Sequence, residues 1–176
     1  MVLQEGVLIA ALISVALLAS NASPPTYPVH RWATYQNARF GTAAEYPSDV
    51  FVSPTYSDNG DGVVLRAASG AKLIISGGNN ALNWTPKTYY DTIAKSDPRS
   101  RVVSYRLIKP KLLAFSGTTH GMIFYERDDF SDPTGVIHTV HVEYPANLRT
   151  TYDPIVQRIS HSLRWSAVRV QHSAAN

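Results

Sequence analysis

Alternating apolar and polar positions dominate the second half of the chain and predict β-strands there. Four such segments, residues 101–108, 111–117, 122–127 and 135–145, follow one another with only a few residues between them. Connections this short favour antiparallel pairing between strands that are neighbours in the sequence. The pattern therefore predicts a four-stranded antiparallel meander.

The first half of the domain carries shorter apolar segments separated by turn residues. Strands are predicted within residues 38–47, 49–56, 63–69 and 71–76. The sequence SDNGDG at 57–62 and the pair Ser69-Gly70 are typical of tight turns, so they predict hairpins between these strands. The following stretch GGNNALNW, residues 77–84, predicts a loop.

Two segments have the signals of helices. Thr85 is a typical N-cap and Pro86 suits the first turn, which predicts a helix over 85–97. Asp153 with Pro154 predicts the start of a second helix by the same argument. Its apolar stripe consists of Ile155, Ile159 and Leu163.

The order of these elements predicts an α+β fold. Hairpins come first, then a helix, the four-stranded meander and the last helix. We expect a single antiparallel sheet of about six or seven strands with the helices packed on it.

An apolar run from Val7 to Ala19 opens the chain and is broken only by Ser14. A helix of this length rises about 20 Å, short of the hydrocarbon core of a bilayer, which is about 30 Å thick. The small residues that follow it resemble the cleavage site of a secretory signal peptide. The predicted organisation is a signal peptide at 1–22, a linker at 23–31, one domain at 32–166 and a flexible tail at 167–176.

The start of this leader departs from the usual pattern. It contains Glu5 and neither lysine nor arginine before the apolar run. Two alternatives stay open: a true start upstream, or a leader that remains uncleaved as an anchor. In either case we expect export, with the bacterial periplasm as the compartment.

Composition excludes several classes of function. The chain has no cysteine, which rules out thiol catalysis, thiolate metal sites and disulfides. Its net charge is +3, and the excess of basic residues is spread along the chain apart from KPK at 109–111. Proteins that bind nucleic acid concentrate basic and aromatic residues in one stripe, so no nucleic-acid partner is expected.

Polar residues within the last strand are the first candidates for a site. Alternation places His138 on the apolar face, where a hydrogen-bonded core residue is the usual interpretation. It places Thr139, His141 and Glu143 together on the other face. His141 and Glu143 could reach one zinc ion or one water, but two ligands do not make a metal site, and an ordinary polar sheet face explains them equally well.

A second candidate cluster lies in GMIFYERDDF, residues 121–130. If Phe124 faces the core, Tyr125 and Arg127 face the other way. Tyr125 with His141, and Arg127 with Glu143, are then plausible cross-strand pairs. Asp128 and Asp129 come where the strand becomes a turn, and Asp at such positions commonly bonds its own backbone. We interpret the cluster as a polar strand end rather than a catalytic centre.

Several motifs carry a resemblance to a known group of proteins. These are YQNARFGTAAEYPSDVF at 35–51, NGDG at 59–62, FYER at 124–127 and YDPIVQRISHSL at 152–163. Over residues 32–165 the chain resembles a group of exported proteins of alphaproteobacteria, rhizobia especially. The order of its elements is also similar to the PsbP/Mog1-like fold. The first resemblance implies no catalytic residues, and PsbP-like domains act mostly as binding or assembly modules.

Two functional hypotheses follow. The first is an exported, non-enzymatic binding or assembly module without a cofactor, whose partner is a protein or small ligand in the cell envelope. Contact with the membrane would come only through an uncleaved leader. The alternative is a metal-assisted or acid–base hydrolase that uses His141, Glu143 and Tyr125 on the polar sheet face.

Overall fold

The computed structural model describes residues 29–93 and 101–167 of the chain, and the strands in these residues form two antiparallel sheets. The strands are Trp32–Gln36 (β1), Thr42–Pro47 (β2), Ser53–Tyr56 (β3), Gly62–Arg66 (β4), Lys72–Asn79 (β5), Arg101–Lys109 (β6), Leu112–Thr119 (β7), Met122–Asp129 (β8), Val136–Pro145 (β9) and Arg164–Trp165 (β10). The helices are Pro86–Ile93 (α1) and Arg149–Ser162 (α2), and a 3-10 turn, Ala146–Leu148, leads into α2.

The larger sheet contains the meander and the hairpins that the sequence predicts. Its strand order is β3-β4-β5-β9-β8-β7-β6, and every neighbouring pair is antiparallel. The turn at 57–62 closes with a hydrogen bond of 3.1 Å from the backbone N–H of Ser57 to the carbonyl oxygen of Gly62. The α+β class is confirmed, as are the four-stranded meander and both hairpin turns.

The prediction of a single sheet is wrong, because β1, β2 and β10 form a sheet of their own. β2 pairs with β1 along one edge and with β10 along the other, so it has no free edge for the larger sheet. It lies against β5 face to face instead. At Gly77 the two sheets approach so closely that a Cβ there would be 2.4 Å from Oγ1 of Thr42.

β5 is longer than the predicted strand at 71–76. It continues to Asn79, and its last residues pair with β9 up to Asn79 opposite Val136. The predicted loop at 77–84 therefore begins three residues later than expected. The consequence for the site is that two glycines, Gly77 and Gly78, are held in regular strand geometry.

The first helix begins where the sequence predicts. The N–H of Thr88 donates to Oγ1 of Thr85 at 3.2 Å, and the N–H of Thr85 donates to Oγ1 of Thr88 at 2.8 Å. These two bonds satisfy backbone donors that a helix start leaves free. The helix is described up to Ile93, and the rest of the predicted span lies outside the described residues.

The start predicted for the last helix is wrong. α2 begins at Arg149, and Pro154 lies inside it. Asp153 does not cap the helix, because its carboxylate accepts bonds from the Tyr144 hydroxyl (2.7 Å) and from Nε of Arg149 (3.1 Å). Pro154 lies beyond the first turn, so its missing N–H removes one backbone bond of the helix. The predicted apolar stripe is confirmed, since Ile155, Ile159 and Leu163 are all buried.

The two faces of the larger sheet are covered differently. On one, which we call the α2 face, α2 packs against β8 and β9, β2 packs against β5 and β9, and together they enclose the main core. On the other, the α1 face, the short helix α1 covers a smaller core. The main core includes Phe51, Val63, Leu65, Leu73, Ile75, Val140, Val142, Tyr144, Tyr152, Ile155 and Ile159, and the smaller one consists of Tyr90, Leu113, Phe115 and Phe124.

The predicted leader at 1–22 lies outside the described residues, as do all but the last three residues of the predicted linker and all but the first residue of the predicted tail. At the described start of the chain, Nδ1 of His30 lies 2.9 Å from the carboxylate of Asp49. None of the helices within residues 29–93 and 101–167 is long and apolar enough to cross a bilayer.

Candidate functional site

Five ionisable side chains from three adjacent strands gather on the α1 face. Phe124 enters the smaller core, and alternation along β8 puts Glu126 and Asp128 on the same side. The register places Glu126 directly opposite His141 of β9. We call the set the polar ladder: Lys72, Glu143, His141, Glu126 and Asp128.

Four members of the polar ladder form a continuous chain of bonds. Nζ of Lys72 lies 2.9 Å from Oε2 of Glu143, whose Oε1 is 2.9 Å from Nε2 of His141. The other ring nitrogen of His141, Nδ1, is 2.7 Å from Oε2 of Glu126. Both imidazole nitrogens therefore face carboxylates, an arrangement that a doubly protonated, positively charged ring satisfies.

The charges in the polar ladder shift its pKa values. Burial alone would lower the pKa of His141, but hydrogen bonds to Glu126 and Glu143 and their negative charges outweigh burial and raise it. The hydrogen bond from His141, opposed in part by burial and helped by Lys72, lowers the pKa of Glu143 to about 2. Lys72, Glu143 and His141 therefore carry alternating opposite charges.

Asp128 differs from the other acids of the polar ladder because it is completely buried. Its Oδ1 accepts a hydrogen bond of 2.7 Å from the Thr139 hydroxyl, and its Oδ2 has no partner among the described residues. Burial first, and then the negative charge of Glu126, raise the pKa of Asp128 well above its ordinary value. The environment thus favours the protonated, neutral acid.

A cleft of about 430 Å³ opens beside the polar ladder, at the end of β5, and we call it the β5 cleft. It is lined by Asp61, Ser76, Gly77, Gly78, Asn79, Asn80, Ala81, Leu82, Trp84, Tyr89, Ile137 and Thr139. Thr139 belongs to both features, since its hydroxyl donates to Asp128 while the residue lines the cleft. Tyr89 connects them too: burial first, and then the charges of Asp128 and Glu126, raise its pKa.

The walls of the β5 cleft combine aromatic rings with glycine. The rings of Trp84 and Tyr89 lie 5.5 Å apart. Asn80 fixes the loop that carries Trp84, because its side chain accepts from the Trp84 N–H (2.8 Å) and donates to the Trp84 carbonyl (2.9 Å). A Cβ built at Gly78 would have no atom within 4 Å, so the backbone of Gly78 borders open space.

Asp61 is the one charged side chain among the described residues that line the β5 cleft. Hydrogen bonds from Ser57 and Asn59 lower the pKa of its carboxyl group. The rest of the polar lining consists of hydroxyl, amide and backbone groups. The cleft therefore offers hydrogen bonds without a cation to attract a phosphate or carboxylate.

The structure separates the three residues of the hydrolase hypothesis. His141 and Glu143 meet in the polar ladder, but Tyr125 lies on the α2 face, where its hydroxyl is 2.8 Å from Oγ of Ser160. The register puts Tyr125 opposite Val142, not beside His141. The expectation that these residues share one polar face is wrong, because Tyr125 and Glu126 point to opposite sides of β8.

Two further expectations for β8 need correction. Arg127 does not pair with Glu143; it reaches across to α2 and donates to the carbonyl oxygen of Ser160 at 2.8 Å. Asp128 is buried in the strand, whereas Asp129 behaves as predicted, accepting a bond of 2.7 Å from the backbone N–H of Ser131. The segment is therefore a strand through Asp129 with a buried acidic side chain.

His138 is the hydrogen-bonded core residue that the sequence predicts. It is fully buried; its Nδ1 lies 2.7 Å from Oγ1 of Thr42 and its Nε2 lies 3.1 Å from Oδ2 of Asp132. The ring stacks on Trp165 with centroids 5.7 Å apart and planes 6° apart. His138 thus joins the two sheets rather than facing a cavity.

No group of three or more His, Asp or Glu side chains within the described parts of the chain is placed to hold a metal ion. His141 and Glu143, the pair considered as metal ligands, form a hydrogen bond with each other through Nε2 of His141. The other ring nitrogen of His141, Nδ1, faces Glu126.

A second cavity, of about 330 Å³, lies on the α2 face between α2 and the outer strands. Tyr105, Tyr125 and Tyr144 line it together with Arg149 and His161. Tyr105 stands at its outer side on β6, the last strand of the sheet. This cavity is where the structure places the tyrosine of the hydrolase hypothesis.

The residues that sequence reasoning missed are Glu126, Asp128, Gly78 and Trp84. Alternation along β8 puts Glu126 and Asp128 on the same face as Phe124. Using this signal requires accepting that a buried strand face can carry acidic side chains near its end. For the β5 cleft the available signal is the pair Gly77-Gly78 followed by two asparagines and a tryptophan, a stretch that by itself predicts only a loop.

Comparison with known protein families and with curated proteins gives no match. Among solved structures, the chain is similar to cyanobacterial PsbP (CyanoP) from Synechocystis sp. PCC 6803, determined in solution. The TM-score is 0.54 at 10% sequence identity, and the match covers 83% of this chain and 99% of that one. At this identity the likeness concerns the fold, and the chain has a PsbP-like α+β fold.

Proposed function

We propose that the protein is an exported, non-enzymatic binding module that holds a neutral, hydroxylated ring compound, such as a mono- or disaccharide, in the β5 cleft. The observation that carries the proposal is the combination of open space above Gly78 with the aromatic walls of Trp84 and Tyr89. The volume of about 430 Å³ falls within the usual range for small-molecule sites.

The shape of the β5 cleft supports a flat ligand. An aromatic ring offers a broad apolar surface at little entropic cost, and the faces of sugar rings that carry C–H groups pack well against it. Gly78 adds no side chain to the floor, so a ligand can approach the backbone of β5 closely.

The chemistry of the lining supports a neutral ligand. Ser76, Asn79 and Thr139 supply hydroxyl and amide groups, and Asp61 supplies a carboxylate. No lysine, arginine or histidine is among the described lining residues, so an anionic ligand would meet the Asp61 carboxylate in the lining, whereas Arg39, whose charge helps to lower the pKa of Asp61, lies outside it. Hydroxyl groups of a neutral ligand can bond to all four side chains.

The polar ladder acts in this proposal as a support for the cleft. The Thr139 hydroxyl uses its hydrogen in the bond to Asp128, and its oxygen interacts with the Tyr89 hydroxyl, which leaves one lone pair as an acceptor for a ligand hydroxyl. Asp128 in turn is held by burial beside Glu126 and His141. The ladder therefore fixes the direction in which one lining group presents its oxygen, a role that needs no chemical step.

Export to the periplasm is supported by the anatomy of residues 1–22 and by the resemblance to exported alphaproteobacterial proteins. It is tested by expressing the full sequence in a bacterium and fractionating the cells. Recovery of a shortened chain from the periplasm, with a new terminus near residue 23, would agree with the proposal. A full-length chain in the cytoplasm would contradict it.

The binding proposal is tested by filling the β5 cleft at Gly78. Backbone amide chemical shifts would be followed by NMR during titration with neutral mono- and disaccharides, and with sugar phosphates for comparison. We expect shifts at Gly78, Trp84 and Thr139 with the neutral sugars, at least tenfold weaker binding of the phosphates, and loss of binding in Gly78→Phe. Gly78→Ala leaves most of the space open and should retain binding.

The matched control is Ser53→Phe, which places the same ring on an exposed strand away from the cleft. It should bind as the unsubstituted protein does. Binding that survives Gly78→Phe, or the absence of shifts at millimolar concentrations of every neutral sugar tried, would overturn the proposal.

A further inference from the structure

β6 forms one edge of the seven-stranded sheet and differs from the opposite edge. The opposite edge, β3, has four residues and contains Pro54, which cannot donate a backbone hydrogen bond. β6 has nine residues, Arg101–Lys109, and no proline. Short edges and prolines are devices that prevent pairing with another chain, so β3 is protected in a way that β6 is not.

β6 also exposes large apolar side chains. Val102 is 65% exposed, Tyr105 48% and Ile108 36%. From the register, Val102 and Tyr105 project on the α2 face and Ile108 on the α1 face. A strand whose outer backbone groups pair with no other described strand, and which has apolar side chains on both faces, has what a further strand needs in order to bind.

The charge of this edge has one sign. Residues 101–111 contain Arg101, Arg106, Lys109 and Lys111 and no acidic residue. Two of the guanidinium groups are fixed over aromatic rings, Arg101 over Phe124 at 4.4 Å and Arg106 over Tyr90 at 5.0 Å. No carboxylate in residues 29–93 or 101–167 forms an ion pair with any of the four.

This charge decides between the possible occupants of the edge. A second copy of the chain pairing through its own β6 would bring basic residues against basic residues, which is unfavourable across strands. An acidic strand would meet complementary charge instead.

We propose that β6 is a docking strand for an extended acidic segment of a partner protein, which adds to the sheet as an eighth strand. Backbone hydrogen bonds hold the segment, and its acidic side chains face Arg101 and Arg106 on the α1 face. Apolar side chains on its other face pack on Tyr105, beside the cavity of about 330 Å³ on the α2 face. This surface is separate from the β5 cleft and does not depend on what the cleft binds.

The test uses three synthetic probes and the folded protein. The first is an eight-residue peptide that alternates glutamate with valine, the second replaces glutamate by lysine, and the third carries N-methyl groups on alternate amides of the first. We expect the acidic peptide to bind, to protect amides of Arg101–Lys109 from hydrogen exchange, and to bind at least tenfold more weakly in 0.5 M salt. The lysine peptide should not bind. The N-methylated peptide should not bind either, because its methyl groups replace the amide hydrogens that would donate to β6.

The matched variants are the double substitution Arg106→Glu with Lys109→Glu, and the single substitution Arg164→Glu at an exposed arginine of the smaller sheet. The first should weaken binding of the acidic peptide at least tenfold and the second should not change it, with thermal unfolding confirming that both fold. Binding that is insensitive to N-methylation, or protection from hydrogen exchange that is confined to the β5 cleft, would overturn the proposal.

Two further measurements distinguish other possible occupants of the β6 edge. Sedimentation that gives a dimer abolished by the double substitution would make a second copy the occupant, contrary to the proposal. Binding to vesicles of anionic phospholipid that the double substitution abolishes, without binding of the acidic peptide, would make the edge a membrane contact and would also overturn it.

Discussion

The hydroxyl group of Thr42 donates a hydrogen bond of 2.7 Å to Nδ1 of His138 and so links the smaller sheet to the larger one. The direction of this hydrogen bond follows from the bond that the other ring nitrogen of His138 makes. Asp132 accepts from Nε2–H at 3.1 Å, and burial lowers the pKa of His138, so the neutral ring has Nδ1 free to accept. The indole ring of Trp165 stacks on the face of the His138 imidazole and covers it.

Removing this hydroxyl should destabilise the fold. Thr42→Val keeps the shape of the side chain but leaves Nδ1 of His138 buried without a donor, which costs about 1 to 3 kcal/mol. Denaturation by urea measures the loss. Thr55→Val, at an exposed strand position, is the control and should change stability by less than about 0.5 kcal/mol. Equal effects of the two substitutions would show that the inter-sheet bond contributes nothing.

The neighbouring glycines Gly77 and Gly78 should respond in opposite ways to alanine. A Cβ at Gly77 would lie 2.4 Å from Oγ1 of Thr42 and 2.6 Å from Cβ of Phe40, whereas one at Gly78 meets nothing within 4 Å. We expect Gly77→Ala to cost about 1 to 3 kcal/mol through overpacking. Gly78→Ala should be neutral or slightly stabilising. Thermal unfolding of the two variants, which differ by one position, tests the packing of the sheets directly.

The polar ladder should make stability depend on pH in a defined window. The raised pKa of His141 means that its contribution is complete below about pH 6.5, the ordinary value, and declines as pH rises through the folded-state pKa. The pKa of Glu143 is lowered from 4.5 to about 2, so its contribution is complete above pH 4.5 and declines as pH falls toward 2. The interaction is therefore strongest between these limits.

This window is measured by comparing the unsubstituted protein with His141→Gln, which keeps a polar side chain but cannot carry the charge. The difference in free energy of unfolding should be largest between about pH 4.5 and 6.5 and smaller on both sides. A difference that stays constant from pH 3 to pH 9 would contradict the charged ladder. Ser53→Ala, at an exposed strand position, offers a control outside the ladder.

The apolar stripe of α2 gives the fourth prediction. Ile159 is fully buried in the main core, so Ile159→Asp places a charge among apolar side chains and should abolish folding. Gln157→Asp, on the exposed side of the same helix, should leave a cooperative transition. Circular dichroism during heating distinguishes the two, and a soluble, cooperatively unfolding Ile159→Asp variant would contradict the packing of α2.

Local patterns in the sequence predict those parts of the fold that depend on neighbours along the chain. The meander follows from alternation and short connections, and the start of α1 follows from Thr85 and Pro86. The separate smaller sheet could not be predicted in this way. Its third strand, Arg164–Trp165, has only two residues and pairs with a strand near the beginning of the domain.

The candidate site shows the same limit. Alternation assigns Thr139, His141 and Glu143 to one face correctly, yet their partners on β8 depend on the register between strands. Sequence reasoning paired Tyr125 with His141, and a shift of one residue reverses which side chains meet, so the true partner is Glu126. Burial of Asp128 depends on neighbours outside β8, among them Tyr89 of α1, whose pKa the Asp128 charge raises, and no pattern within β8 indicates them.

The pairing of β10 with β2 has a consequence for how the chain folds. Contacts between residues this far apart in the sequence close large loops, which is entropically costly and slows folding. We expect the hairpins and the meander to form first and β10 to join last. Until Trp165 arrives, β2 keeps an unpaired edge and His138 lacks its indole cover, so the newly made chain passes through a stage in which this edge can pair with other molecules.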